Sequence, residues 1–105
     1  MNASCYPNLP PTTFYMKNEC EYNVYVLQSK KDRSIYIGYT SDLEKRLKEH
    51  NRGLCHSTKN RTPFRIAAYE AYSSESDART REKRLKQFKN AYKELIKRIN
   101  NCLIE

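Results

Sequence analysis

The sequence predicts a small α+β domain, in which a three-stranded mixed β-sheet is flanked by helices in the order β-β-α-β-α-α. Runs of β-branched and aromatic residues at 22–29, 34–39 and 64–73 have the length and composition of strands. Helical periodicity follows Ser41 and Ser74. A chain of 105 residues is sufficient for one such domain.

The chain divides by composition into three parts. Residues 1–21 hold three of the four prolines and show no periodicity, so they predict an irregular N-terminal extension. Residues 22–100 carry the periodic segments and predict the folded domain, and residues 101–105 are predicted to form a short C-terminal tail.

The first two strands are expected to form an antiparallel hairpin, because only the polar link KKDR separates them. In the first strand, Val24 and Val26 should face one side of the sheet, and Tyr25 and Leu27 the other.

The first helix is predicted to start at Ser41, which forms a capping-box pattern with Glu44, and to end before Gly53. Within it, His50 follows two leucines at i, i+4 and i+7 spacing, so it should face the core, with Arg46 at the edge of that face.

The second helix should start at Ser74, which pairs with Asp77 in another capping-box pattern. Asn90 could cap a last helix after a break near Lys89.

The chain is strongly basic, with a formal net charge of +8, and twelve Lys or Arg face six Asp or Glu in residues 57–105. Such a surface attracts polyanions, of which nucleic acid is the commonest, although solvated helix faces are also rich in Lys and Arg. No apolar run approaches the length of about 20 residues that spans a bilayer, so no membrane association is expected. Four cysteines without metal-binding spacing predict free thiols and a cytoplasmic location.

One carboxylate stands out in the second helix. Glu82 lies at the edge of the apolar stripe among basic neighbours. It can form an ion pair with Lys86 at i+4, or it can supply a hard oxygen ligand to Mg²⁺ beside a basic cleft. The pattern alone leaves both interpretations open.

Two tripeptides and two later residues resemble a known family. Asn-Val-Tyr at 23–25 and Tyr-Ile-Gly at 36–38 are followed by Arg46 in LEKRLKEH and Glu82 in ARTREKRLK. This set resembles the GIY-YIG nuclease superfamily, particularly its small stand-alone members similar to the nuclease domain of the bacterial excision-repair endonuclease. The resemblance covers about residues 22–99. The first tripeptide departs from Gly-Ile-Tyr but keeps the tyrosine.

The resemblance implies a catalytic role for six residues. Tyr36 would act as general base for the attacking water or position it, and Tyr25 would organise the site. Gly38 would leave room for the phosphate, and Arg46 would neutralise the scissile phosphate. His50 would assist proton handling. The complete implied set is Tyr25, Tyr36, Gly38, Arg46, His50 and Glu82.

In the same resemblance, Glu82 is the sole carboxylate ligand of one Mg²⁺ or Mn²⁺ ion. The implied activity is hydrolysis of DNA phosphodiester bonds, directed by DNA structure with weak sequence preference, as in repair or recombination. Basic residues of the loop at 56–65 and of the Lys- and Arg-rich region that begins at Ser74 would contact phosphates. These are Lys59, Arg61, Arg65, Lys83, Lys86 and Lys89.

Two other functions remain open at this point. The domain could bind nucleic acid without cleaving it, or it could cleave only with a protein partner that recognises the substrate. The sequence does not distinguish DNA from RNA, and it leaves the oligomeric state undetermined.

Overall fold

The computed structural model describes residues 21–104, so the irregular extension predicted for residues 1–21 lies almost wholly outside the described residues. The elements confirm the predicted α+β class and the order β-β-α-β-α-α. They are β1 (Tyr22–Ser29), β2 (Ile35–Thr40), α1 (Leu43–Asn51), β3 (Phe64–Tyr72), α2 (Glu75–Gln87) and α3 (Lys89–Arg98), with short 3₁₀ turns at Lys59–Arg61 and Asn100–Cys102.

The sheet has the order β2-β1-β3, and β1 pairs antiparallel with both neighbours. The prediction of a mixed sheet was therefore wrong. The crossover through α1 does join two strands that run in the same direction, β2 and β3. Because β1 lies between them, no parallel pair is hydrogen bonded in the sheet of residues 21–104.

The central strand separates two apolar clusters, as its alternating sequence predicted. Val24 and Val26 pack against α2 and α3, and Tyr25 and Leu27 lie on the other face, under α1. All four side chains are at most 2% exposed. The second cluster is smaller and contains a phenol, so α1 packs on a partly polar surface.

Two helices start at positions other than those predicted. The N-cap of α1 is Asp42 rather than Ser41, because its carboxylate accepts a hydrogen bond from Lys45 N at 3.1 Å. A carboxylate also interacts favourably with the positive end of the helix. The break before α3 falls at Phe88, whose backbone is extended, so Asn90 lies inside the helix and caps nothing.

The other two predicted helix boundaries are confirmed. Ser74 Oγ accepts a hydrogen bond from Asp77 N at 3.2 Å and caps α2. Gly53 follows the C-cap of α1 with a φ of +76°, a backbone conformation that side chains disfavour, and its N–H donates to His50 O. No helix among residues 21–104 is long and apolar enough to cross a membrane.

Asn51 holds the end of α1 to the start of β3. Its Oδ1 accepts a hydrogen bond from Phe64 N at 2.6 Å, and its Nδ2 donates to Phe64 O at 3.1 Å. The amide thus satisfies both main-chain groups of a residue whose side chain is only 2% exposed. These two bonds fix the position of α1 over the sheet.

Asn51→Ala should lower the free energy of unfolding by about 1 to 3 kcal/mol, because it leaves the Phe64 N–H and C=O without their partner. Urea unfolding measures this change. Asn60→Ala is the matched control, because the structure shows only the main-chain oxygen of Asn60 accepting a hydrogen bond. The control should change stability by less than about 0.5 kcal/mol. Equal costs for the two variants would contradict the role of Asn51.

Candidate active site

A chain of buried hydrogen bonds crosses the face of the sheet under α1. Tyr25 Oη lies 2.9 Å from His50 Nε2, and His50 Nδ1 lies 2.8 Å from Thr58 Oγ1. Arg46 Nε donates to Tyr25 Oη at 3.3 Å. Tyr25, His50 and Thr58 are each at most 2% exposed. The chain therefore joins β1, α1 and the loop before β3.

The donors and acceptors fit only one direction along this chain. Thr58 Oγ1 donates its proton to Cys55 O at 3.4 Å, so at His50 Nδ1 it can only accept, and His50 carries its proton on Nδ1. His50 Nε2 is then the acceptor of the Tyr25 hydroxyl proton, while Tyr25 Oη accepts from Arg46 Nε. This tautomer is assigned from the hydrogen-bond network.

Burial keeps both central groups neutral. It raises the pKa of Tyr25 to about 12, although the hydrogen bond from Arg46 acts in the opposite direction. It also lowers the pKa of His50 to about 4, an effect that the charge of Arg46 reinforces. At neutral pH, Tyr25 is therefore a fixed hydrogen-bond donor, and His50 is a neutral acceptor.

Gly38 is required by the ring of Tyr25. The two residues are cross-strand partners, and a Cβ built on Gly38 would lie 2.3 Å from both Cζ and Oη of Tyr25. Because the ring fills this space, a side chain at residue 38 would collide with Tyr25 before it met any substrate. The glycine thus has a packing role in addition to the phosphate role that the sequence suggested.

Tyr36 lies beside this chain without joining it. Its ring centroid is 5.0 Å from that of His50 and 6.3 Å from that of Tyr25. The side chain is half-buried, and its hydroxyl makes no hydrogen bond to any of residues 21–104. Lys86 Nζ lies 5.3 Å from the ring centroid. Tyr36 is thus the phenol of this cluster that is open to a substrate.

Glu82 is connected to Tyr36 through the side chain of Lys86, which contacts both residues. Its Oε2 pairs with Lys86 Nζ at 2.9 Å, and the Glu82 side chain is 22% exposed. Among residues 21–104, no three His, Cys, Asp or Glu side chains group as a metal site. A single half-buried carboxylate that already binds an ammonium group still fits Mg²⁺, which takes one or two protein carboxylates and retains water.

The family model for the GIY-YIG catalytic domain matches residues 21–97. The chain belongs to the GIY-YIG family. This is a nuclease family, so a nucleic-acid substrate follows, and its members typically use a divalent metal ion.

The chain is also similar to three UPF0213 proteins. A UPF0213 protein of Halobacterium salinarum is 40% identical over 76 residues, covering 71% of this chain and 97% of that protein. A UPF0213 protein of Haloquadratum walsbyi is 36% identical over 80 residues, covering 75% and 88%. The solution NMR structure of a UPF0213 protein from Bacillus halodurans is 37% identical, covers 71% of this chain and 80% of that chain, and has a TM-score of 0.45.

The structure brings together five of the six predicted GIY-YIG site residues directly. Gly38 and Tyr25 are cross-strand partners, and the rings of Tyr36 and His50 are in contact. Arg46 is bonded to Tyr25. The sixth residue, Glu82, is linked to Tyr36 through Lys86. The roles assigned to these residues stay predictions.

The predicted phosphate-binding residues separate into two groups. Lys86 and Lys89 line a groove beside Tyr36, and Lys59 and Lys83 are exposed elsewhere. Arg61 and Arg65, in contrast, are engaged with the protein itself.

The two arginines bind main-chain and side-chain oxygens. Arg61 donates to Ser34 Oγ and to Ser57 O, both at 2.9 Å. Arg65 donates to Gln28 Oε1 and to Cys102 O, and so holds the C-terminal residues against β1. The structure therefore does not bring either guanidinium group to Tyr36.

Sequence reasoning missed Glu49 and Thr58. Glu49 Oε1 pairs with Arg46 Nη1 at 2.9 Å and fixes the orientation of the guanidinium group. Its i+3 position relative to Arg46 was a usable signal. Thr58 orients His50 from within a loop, and no periodic pattern indicates such a residue.

Gly38→Ala should destabilise the fold by about 1 to 3 kcal/mol because its methyl group collides with the Tyr25 ring. In a Tyr25→Leu background the collision is relieved, so the additional cost of Gly38→Ala should be smaller. Urea unfolding of both single variants and the double variant measures this coupling.

Gly53→Ala is the control for that cycle. The nearest atom to its added Cβ would be Lys59 Cβ at 3.8 Å, and its cost, about 1 kcal/mol, comes from the positive φ. It should add to Tyr25→Leu without coupling. If Gly38→Ala costs the same with and without the Tyr25 ring, the packing explanation is wrong.

Stability should fall as His50 is forced to accept a proton. Its pKa is about 4 in the folded protein and 6.5 ordinarily, so between these values the unfolded chain binds more protons. The free energy of unfolding should therefore decrease as pH falls from 6.5 towards 4, by about 3 kcal/mol at most.

Urea unfolding between pH 7 and pH 5 tests this dependence, because carboxylates stay ionised over most of this range and add little to the change in the free energy of unfolding. His56, the other histidine, is exposed and provides the control. His56→Gln should retain the His50 component of the decrease, and His50→Gln should lose it. An NMR titration midpoint of His50 near 6.5 would show that it is not held neutral.

Proposed function

We propose that this protein is a metal-dependent endonuclease that hydrolyses DNA phosphodiester bonds, directed by DNA structure with weak sequence preference. The observation that carries the proposal is the Tyr36 hydroxyl, which makes no hydrogen bond within residues 21–104 and lies beside the bonded, neutral side chains of Tyr25 and His50. In that arrangement Tyr25 cannot take a proton from water, because its own proton is directed at His50. Tyr36 is the phenol that remains to position the attacking water, and it takes up the proton of that water as the phenolate, after its own proton has passed to solvent.

Arg46 is placed to stabilise the scissile phosphate. Its Nε and Nη1 are held by Tyr25 and Glu49, and its side chain is 36% exposed. Its Nη2 has no hydrogen bond among the residues described and can donate to a phosphoryl oxygen. A guanidinium group fixed on two sides loses little freedom when it binds, so it can favour the charge that develops on the phosphate in the transition state.

Glu82 would hold the metal ion. When bound there, a divalent cation supplies Lewis-acid stabilisation of charge on the phosphoryl oxygens. Lys86 pairs with this carboxylate and lies over Tyr36, so it supplies positive charge to the same place.

The exposed lysines near the site favour recognition of the structure of the DNA rather than of its base sequence. Lys86 and Lys89 are lysines, which contact phosphates as point charges and carry no base code. RNA offers the same phosphates, so the DNA preference is part of the proposal. We place the activity in the cytoplasm, since Cys55 and Cys102 are free thiols.

The test is cleavage of plasmid DNA and of branched oligonucleotides in Mg²⁺ or Mn²⁺. Tyr36→Phe, Arg46→Ala and Glu82→Gln should each lower the cleavage rate by at least about 100-fold, because each removes a group acting on the reacting phosphate. Tyr69→Phe is the matched control, since Tyr69 is 55% exposed on β3 and should keep its rate.

Three results would contradict this function. Nicking that survives in Tyr36→Phe and Glu82→Gln would belong to a contaminant. Salt-dependent DNA binding without cleavage in any metal would indicate a non-catalytic binding module. Cleavage that appears only on adding a cell extract would indicate a nuclease that needs a protein partner for substrate recognition.

A further inference from the structure

A groove runs along the outer edge of the sheet, beside the proposed catalytic tyrosine. This β2 groove has a volume of about 470 Å³ and lies between β2 and the junction of α2 with α3. It is lined by Ile35, Tyr36, Ile37, Leu85, Lys86, Gln87, Lys89 and Tyr92. Its volume is within the range of about 300 to 1,000 Å³ that is usual for small-ligand sites.

The polarity of the β2 groove suits a flat apolar group that carries a negative charge. Ile35, Ile37 and Leu85 supply apolar surface, and Tyr92 adds an aromatic ring. Within the described chain, the lining residues include two lysines and no carboxylate. The two lysines therefore favour an anionic group over a cation, and a nucleotide matches both the apolar floor and the positive rim.

Lys89 is the free charge of the groove. Lys86 is paired with Glu82, but Lys89 makes no ion pair or hydrogen bond to any of residues 21–104. β2 is also an edge strand, so some of its N–H and C=O groups point away from β1 and have no partner strand. The groove thus offers polar partners to both the base and the phosphate of one nucleotide.

We infer that the β2 groove binds one unpaired nucleotide of the substrate, adjacent to the phosphate at Tyr36, with its base against Tyr92 and its own phosphate at Lys89. This inference rests on the proposed function for the position of the scissile phosphate. A base inside an intact duplex is paired and stacked on both sides, so it cannot enter the groove without leaving the helix. Substrates with a flap, gap or fork supply such a base without that cost.

The experiment measures binding without cleavage. Fluorescence anisotropy in EDTA gives the affinity of the full chain for a labelled single strand and for a duplex of the same sequence at one salt concentration. The native protein should bind the single strand more tightly. Lys89→Ala and Tyr92→Leu should each reduce this preference at least about fivefold, the lower end for loss of one stacked base.

Lys93→Ala is the matched control, because it removes the same charge from the same helix outside the groove. It should weaken binding to single strand and duplex alike and leave the preference unchanged. Circular dichroism of each variant confirms that the fold is intact, and Tyr92→Phe, which keeps the ring, should retain the preference.

The outcomes separate this inference from the proposed function. Preferential single-strand binding that depends on Lys89 and Tyr92, without any cleavage in Mg²⁺ or Mn²⁺, would support the groove and overturn the nuclease activity. Cleavage that requires Tyr36 and Glu82, with equal effects of Lys89→Ala and Lys93→Ala, would overturn the groove alone. Equal binding of single strand and duplex by the native protein would also overturn it and would leave a peptide as the better occupant.

Discussion

The hydrogen bond between Tyr25 and His50 is the constraint on which the site depends. Both groups are buried, so removing either one would leave the other without a partner and would lower the free energy of unfolding. His50 is also the one fully buried side chain within α1, so the helix is seated on the sheet by a polar contact rather than by a broad apolar face. Two further requirements follow. Residue 38 must be glycine to leave space for the Tyr25 ring, and Thr58 must accept a hydrogen bond from His50 Nδ1.

The same constraint gives two chemically identical phenols different tasks. Tyr25 lies on the central strand, where burial and its bond to His50 hold its proton in place. Tyr36 lies on the edge strand, and its hydroxyl makes no hydrogen bond to any of residues 21–104. Environment rather than residue type thus separates a structural tyrosine from the tyrosine that we propose to be reactive, in the way that paired carboxylates are separated in other active sites.

Sequence patterns predicted the strands and the family, but they did not predict the contacts that join distant residues. Alternation in β1 predicted the faces of Val24 and Tyr25, because it depends on local spacing. The two tripeptides with Arg46 and Glu82 predicted the family, because these residue types follow one another along the chain in the order typical of it. The bonds made by Asn51 and Thr58 join residues to partners across a loop, and no periodicity relates such pairs. The antiparallel sheet was missed for a related reason. A crossover shows that β2 and β3 run in the same direction, but not that β1 lies between them.

The basic charge of the chain is only partly available to a substrate. Arg61 and Arg65 are engaged by oxygens of the protein, since a guanidinium group can satisfy several carbonyls at once and is well suited to closing a loop or holding a terminus. The lysine side chains have a single ammonium group in place of the several N–H donors of a guanidinium group, and they stay exposed. Three of the four predicted phosphate-binding lysines lie on α2 or at the start of α3, and Lys59 alone lies in the loop before β3. Because the exposed lysines lie along α2 and at the start of α3, a bound strand is expected to follow α2 and the edge of β2, and to reach Tyr36 from that side.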